Sequence, residues 1–221
     1  MALESVGLIY ELAKLGWEAG KLVRNEAKAV LTGSTFRFVA SLSTLEFVEN
    51  GSEQQAHYVL DRTVKFLRRD TTLPAFTYKT GGTDTVESLV VDDKQQTVVP
   101  VENGGRTYYK PAEDMTYSRG DSARAVFEVC SVNGFGNHHE YFSLRTEYLT
   151  DAATLVIIFP ASRQPSNVRL LYQTQKDPKD RWRPASRERS ELRHTTQKRV
   201  AFTWESKNLR LGNQYKVEWD W

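Results

Sequence analysis

Two periodicities divide this chain. From Gly7 to Val23, Leu8, Leu12, Leu15, Ala19 and Leu22 recur at intervals of four, three, four and three, which is the apolar seam of an amphipathic helix. Helix formers continue through "RNEAKAVL", and Gly33 suits the left-handed residue that ends a helix, so the pattern predicts a helix over residues 4–31. The seam lasts about two heptads, short of a free-standing coiled coil, so it is expected to pack on something nearby. Gly16 and Gly20 form a small neighbouring face with Ala13. Each glycine costs about 1 kcal/mol of helix propensity relative to alanine, and close approach of a second backbone is the usual compensation. Trp17 lies off the leucine seam.

From Thr35 the spacing changes to two. "TFRFVASLSTLEFV" reads as a strand with an irregularity near Ser41, and Asn50-Gly51 marks a turn. In "HYVLDRTVKFL", Tyr58, Leu60, Arg62, Val64 and Phe66 share one face, so that Arg62 interrupts an otherwise apolar row. Asn103-Gly104-Gly105 before "RTYYK" is a hairpin signal. "TLVIIF", Thr154 to Phe159, is a continuous apolar run, which suits a central strand covered on both faces. The alternation is clearest in "YKVEWDW", where Tyr215, Val217, Trp219 and Trp221 oppose Lys216, Glu218 and Asp220. "RVAFTWE" alternates in the same way and is its expected partner, which places the last strand inside a sheet and makes its removal harmful. About ten strands with turns between them predict an antiparallel β-sandwich preceded by one helix. The expected division is residues 1–33, helix and hinge, and residues 34–221, the β-domain. "YSRGD", Tyr117 to Asp121, is a candidate hinge within the latter.

Composition narrows the classes. Hydrophobic residues at 39% and charged residues at 26% match an ordinary folded, soluble protein. A formal charge of +2, from 30 basic and 28 acidic residues, creates no global field that calls for nucleic acid or membrane. The lone cysteine, Cys130, precludes an internal disulfide, so a cytoplasmic location is expected. Glu11, Lys14 and Glu18 interrupt the first apolar stretch, unlike a signal peptide. No run approaches the ~20 apolar residues of a spanning helix.

Candidate chemistry is sparse. His138 and His139, at the start of a strand, point to opposite faces and cannot readily chelate one ion. Gly134-Phe135-Gly136 precedes a strand, where a dinucleotide-binding loop precedes a helix. Cys130 sits in an apolar strand and reads as a small buried thiol. Asp92-Asp93 and Glu113-Asp114 fall in turns, where aspartate bonds its own backbone; a calcium site of converging loops is the alternative reading. No catalytic, metal or cofactor motif emerges, so the expectation is a protein that is not an enzyme and carries no cofactor.

Charge concentrates in "KDPKDRWRPASRERSELRHTTQKR", Lys176 to Arg199, with nine basic residues against four acidic. Lys179, Arg181, Trp182, Arg183, Arg187 and Arg189 form a candidate partner- or anion-binding set, since tryptophan and arginine are enriched at interfaces and also grip phosphate and base. A solvated loop with Trp182 folded back on the sheets is the plainer reading. Leu8, Leu12, Leu15, Gly16, Trp17, Gly20 and Leu22 form the candidate assembly surface. The whole predicts a non-enzymatic protein-interaction or scaffold module, of the accessory or effector kind, with a protein partner and homo-oligomerisation through the helix. The alternatives are a membrane-active effector that releases and inserts the helix, with peripheral membrane contact, and a nucleic-acid or anionic-ligand binder acting through residues 176–199.

Overall fold

The computed structural model describes residues 34–50, 53–174, 181–185, 189–195, 199–209 and 211–221. The expected helix, its assembly surface from Leu8 to Leu22, and Lys179 and Arg187 lie outside these residues. The described chain is mainly β. Its strands are β1 (Phe36–Asn50), β2 (Glu53–Phe66), β3 (Thr71–Thr72), β4 (Thr83–Val91), β5 (Lys94–Gln95), β6 (Val98–Asn103), β7 (Arg106–Pro111) and β8 (Thr116–Tyr117). They continue with β9 (Ser122–Val132), β10 (His139–Arg145), β11 (Thr150–Phe159), β12 (Ser166–Gln173), β13 (Arg183–Pro184), β14 (Arg189–His194), β15 (Val200–Leu209) and β16 (Gln214–Asp220). Among the described residues no helix is long and apolar enough to cross a membrane.

Eight strands form the large sheet in the order β14, β15, β11, β1, β2, β9, β4, β5, and four form a smaller sheet in the order β10, β16, β12, β13. Aromatic side chains stitch the two together. Trp204 of β15 meets Tyr215 of β16 at 4.7 Å, Phe159 of β11 meets Trp219 of β16 at 5.4 Å, and Tyr58 of β2 meets Phe142 of β10 at 5.5 Å between ring centroids. One apolar cluster draws on both sheets, with Trp204, Val217 and Trp219 entirely buried at its centre. The sheets therefore pack face to face around a shared core.

The expected antiparallel architecture needs one correction: β1 and β11 run parallel, from Phe38 beside Thr150 to Glu46 beside Ile158. The continuous apolar run of β11 is the composition of a strand so placed. It is not, however, covered on both faces: Leu155, Ile157 and Phe159 are buried, while Thr154, Val156 and Ile158 are half-buried. The expected pairing of the last two strands is also corrected. β16 pairs with β10 and β12, and β15 pairs with β11 and β14, so the two alternating strands face each other across the core instead of hydrogen-bonding.

The irregularity expected near Ser41 falls at Val39, where the β1–β2 register slips between Phe38 and Ala40. The extra residue reverses the strand's phase. Phe36 and Phe38 point into the core before it, and Ser43, Leu45 and Phe47 after it. Asn103 to Arg106 closes the β6–β7 hairpin through Gly104 and Gly105, both at positive φ, as the sequence predicts.

Candidate functional site

The slip in β1 opens a cavity. After Val39 the inward positions are polar, Ser41 and Ser43, and Arg62 of β2 stands directly opposite Ser41. Among the described residues a cavity of about 910 Å³ lies here between the sheets. Ser41, Ser43, Tyr58, Arg62, Tyr78 and Trp204 are among the side chains that line it.

Arg62 is the central charge. Its guanidinium lies over the Phe38 ring, 4.4 Å from the centroid, and its Nε donates to Ser41 Oγ at 3.4 Å. No carboxylate of the described residues pairs with it. Burial pulls the guanidinium down from its ordinary value, and Tyr58, then Glu147 and Tyr148, hold it up. Arg62 keeps part of its surface accessible, and that surface lines the cavity. Charges so enclosed ordinarily pair with an opposite charge; among the described residues Arg62 has only the longer-range influence of Glu147, which lines the same cavity.

The tyrosines add hydroxyls. Tyr58 and Tyr78 stack at 4.6 Å with their rings 15° apart. Burial pushes both phenols up, so they stay protonated at neutral pH. Tyr58 shares a hydrogen bond with Ser43. The Tyr78 hydroxyl is buried without a partner, as is the indole Nε1 of Trp204. Tyr78 and Trp204 thus carry unpartnered O–H and N–H groups on residues that line one cavity with Arg62. Of the carboxylates lining the cavity, Asp84 accepts from the Thr80 backbone and hydroxyl at 2.8 and 2.6 Å, Glu140 accepts from the Asn137 backbone at 2.6 Å, and Glu147 supports the charge of Arg62. The loop carrying Tyr78 is held close to the end of β9, where a Cβ on Gly82 would collide with the Val132 carbonyl oxygen.

The residues singled out from sequence lie elsewhere. Arg181 and Arg183 are exposed, and Trp182 is half-buried against Lys216, whose Nζ stands 4.6 Å from the ring centroid. Trp182 is therefore folded back on the outer side of the small sheet. Arg189 belongs to β14, at the edge of the large sheet. The expectation of one continuous charged loop is corrected accordingly: residues 176–199 contribute strands to both sheets, and Arg181 to Arg183 are separated from Arg189. Arg189, Glu191 and Arg193 of that segment fall on the edge strand β14, where charge discourages pairing with another chain. His139 Nδ1 lies 2.7 Å from Asp220 Oδ1. Hydrogen bonds from Asn167 and then His139 hold the Asp220 carboxyl below the usual range. Asp92 and Asp93 both adopt positive φ in the β4–β5 turn, and Asp92 accepts from the Arg124 backbone at 2.8 Å. Arg62, visible in sequence as the break in an apolar row, was the available signal for the cavity. Tyr78 and Trp204 gave none, because only the fold brings them to it.

No family model matches the chain, and no curated protein matches it. Solved structures resemble it in fold. A putative protease from Parabacteroides distasonis aligns with a TM-score of 0.53 at 8% identity, over 85% of this chain and 40% of that one. A putative nutrient binding protein from Legionella pneumophila aligns with a TM-score of 0.51 at 13% identity, over 83% of this chain and 67% of that one. An M1 zinc metallopeptidase from Deinococcus radiodurans reaches 0.47 at 8% identity, over 83% of this chain and 42% of that one. The chain thus spans only about two fifths of the protease. At such identities the likeness is one of fold alone.

Proposed function

We propose that this chain is a non-enzymatic binding module that takes a carboxylate-bearing ligand or partner segment into the cavity around Arg62. The observation that carries the proposal is Arg62, a guanidinium on the cavity wall that no carboxylate of the described residues pairs with, beside the unpartnered Tyr78 hydroxyl and Trp204 indole N–H. A carboxylate offers several acceptor sites and the compensating charge. The cavity volume of about 910 Å³ is in the range of small-molecule sites. Binding suits this set better than proton transfer, because burial pushes the two phenols further above neutral pH.

The proposal keeps the wider role of an interaction module and reads the packed sheets, residues 34–221, as one β-sandwich following the amphipathic segment 1–33. It also keeps a cytoplasmic setting. Isothermal titration of the full chain with benzoate, and with neutral benzamide as control, tests it. Saturable binding of benzoate, absent with benzamide and lost in Arg62→Met, is the expected result. Equal binding of benzoate by the parent and a folded Arg62→Met variant overturns it.

A further inference from the structure

On the opposite face of β2 from the cavity, three strands converge on a second constellation. His57 of β2 and Cys130 of β9 are direct cross-strand partners. Glu87 of β4, on the other side of β9, is the extra residue where the β4–β9 register slips between Val86 and Ser88. A bulge of this kind re-aims a side chain, and here the carboxylate comes to His57, with Oε2 at 3.5 Å from Nδ1. One ligand atom from each of His57, Glu87 and Cys130 lies within 4.8 Å of the other two.

Four things distinguish this cluster from a chance meeting of polar groups. The donors differ in kind: thiol, imidazole and carboxylate form a mixed set that suits zinc and its relatives, whereas magnesium and calcium take oxygen. Zinc–ligand bonds of about 2.0 to 2.3 Å in a tetrahedron separate neighbouring ligand atoms by roughly 3.3 to 3.8 Å, so small rotamer adjustments close the set. The donors also stand on adjacent strands within the large sheet, β2 beside β9 and β9 beside β4, which fixes their spacing. Cys130 is partly accessible, contrary to the buried thiol expected from its apolar strand, and His57 and Glu87 side chains are 37% and 43% exposed, so an ion has a path in.

We infer that His57, Glu87 and Cys130 bind a zinc-class divalent ion through three protein ligands, with water in the fourth position. The sequence gives no hint of this, because the ligands are thirty and forty-three residues apart (87 − 57 and 130 − 87) and follow no short metal-binding spacing. The site is independent of the cavity.

Titration of the full chain with cobalt(II) chloride tests the inference. Cys130 is the only cysteine, so any thiolate-to-cobalt charge-transfer band reports on that residue. The expected result is a band that saturates at one ion per chain, is displaced by zinc and is abolished in Cys130→Ser. Loss of affinity in His57→Gln and in Glu87→Gln should exceed the roughly 10- to 100-fold that outer-sphere partners are worth. Circular dichroism identifies any variant that fails to fold, and Glu87→Gln, at an exposed position, guards against that outcome. Absence of a saturable band in the parent overturns the inference. So does unchanged affinity in folded His57→Gln and Glu87→Gln.

Discussion

At the scale of single residues, the two stacked tyrosines make opposite predictions from the same chemistry. Tyr58 shares its hydroxyl hydrogen bond with Ser43, whereas the Tyr78 hydroxyl is buried without one. A satisfied buried hydrogen bond contributes about 0.5 to 1.5 kcal/mol, while an unsatisfied buried group carries a desolvation penalty of about 1 to 3 kcal/mol. Tyr58→Phe is therefore expected to lower stability by about 1 kcal/mol and to leave the Ser43 hydroxyl unpaired. Tyr78→Phe is expected to be neutral or to raise stability by up to about 1 kcal/mol, because it deletes an orphan without opening a void. Denaturant unfolding of both variants checks this, and a loss for Tyr78→Phe as large as that for Tyr58→Phe would mean that the Tyr78 hydroxyl is satisfied. If Tyr78 donates to the cavity's ligand, the same substitution weakens benzoate binding while the fold gains stability. That opposition is the signature of a group kept for binding.

At the scale of elements, the decisive feature is one extra residue in β1. Val39 moves the strand from a phase in which Phe36 and Phe38 face inward to one in which Ser43, Leu45 and Phe47 do. Deleting Val39 removes the slip, so either the first part of the strand or the second must turn its core residues to solvent. Loss of cooperative thermal unfolding is expected, and a melt like the parent's would show that pairing with β2 and β11 sets the register regardless of side chains. The same element marks how far the sequence can be read. Alternation in β16, the turn at Asn103 to Arg106 and the irregularity in β1 were legible because each is encoded within a few adjacent residues. The parallel pairing of β1 with β11 was not, since both strands have the apolar composition of central strands and nothing local records which neighbour each takes. The β14 edge strand was hidden by its charge, which outweighs the apolar signal of Leu192 alone. Of the cavity, only Arg62 was visible, as a polar break in an apolar face; Tyr78 and Trp204 reach it through contacts between distant segments. The metal-binding triad follows the same rule, being set by two strand registers and a bulge.

At the scale of the whole molecule, topology orders the events of folding. β1 and β2 are consecutive and pair along nearly their full length, from Phe36 beside Phe66 to Asn50 beside Glu53, so their hairpin closes a short loop. β11 must return across more than a hundred intervening residues, Phe38 lying beside Thr150, before β15 can add to it. Loop closure of that length is costly before any contact rewards it, and sheets dominated by distant pairings fold in milliseconds to seconds. If the hairpin with β9 forms the nucleus and β11 docks after the main barrier, contacts made by β11 affect unfolding far more than folding. Ile157 of β11 is entirely buried, and Ile157→Val is expected to cost about 0.5 to 1.5 kcal/mol. Stopped-flow fluorescence, with the buried Trp204 and Trp219 as reporters, should place nearly all of that loss in a faster unfolding rate. A folding rate slowed in proportion to the whole loss would instead put the parallel β1–β11 pairing inside the nucleus. The large sheet would then assemble around β1 from both sides at once, and the cavity beside Arg62 would be framed before the small sheet closes over it.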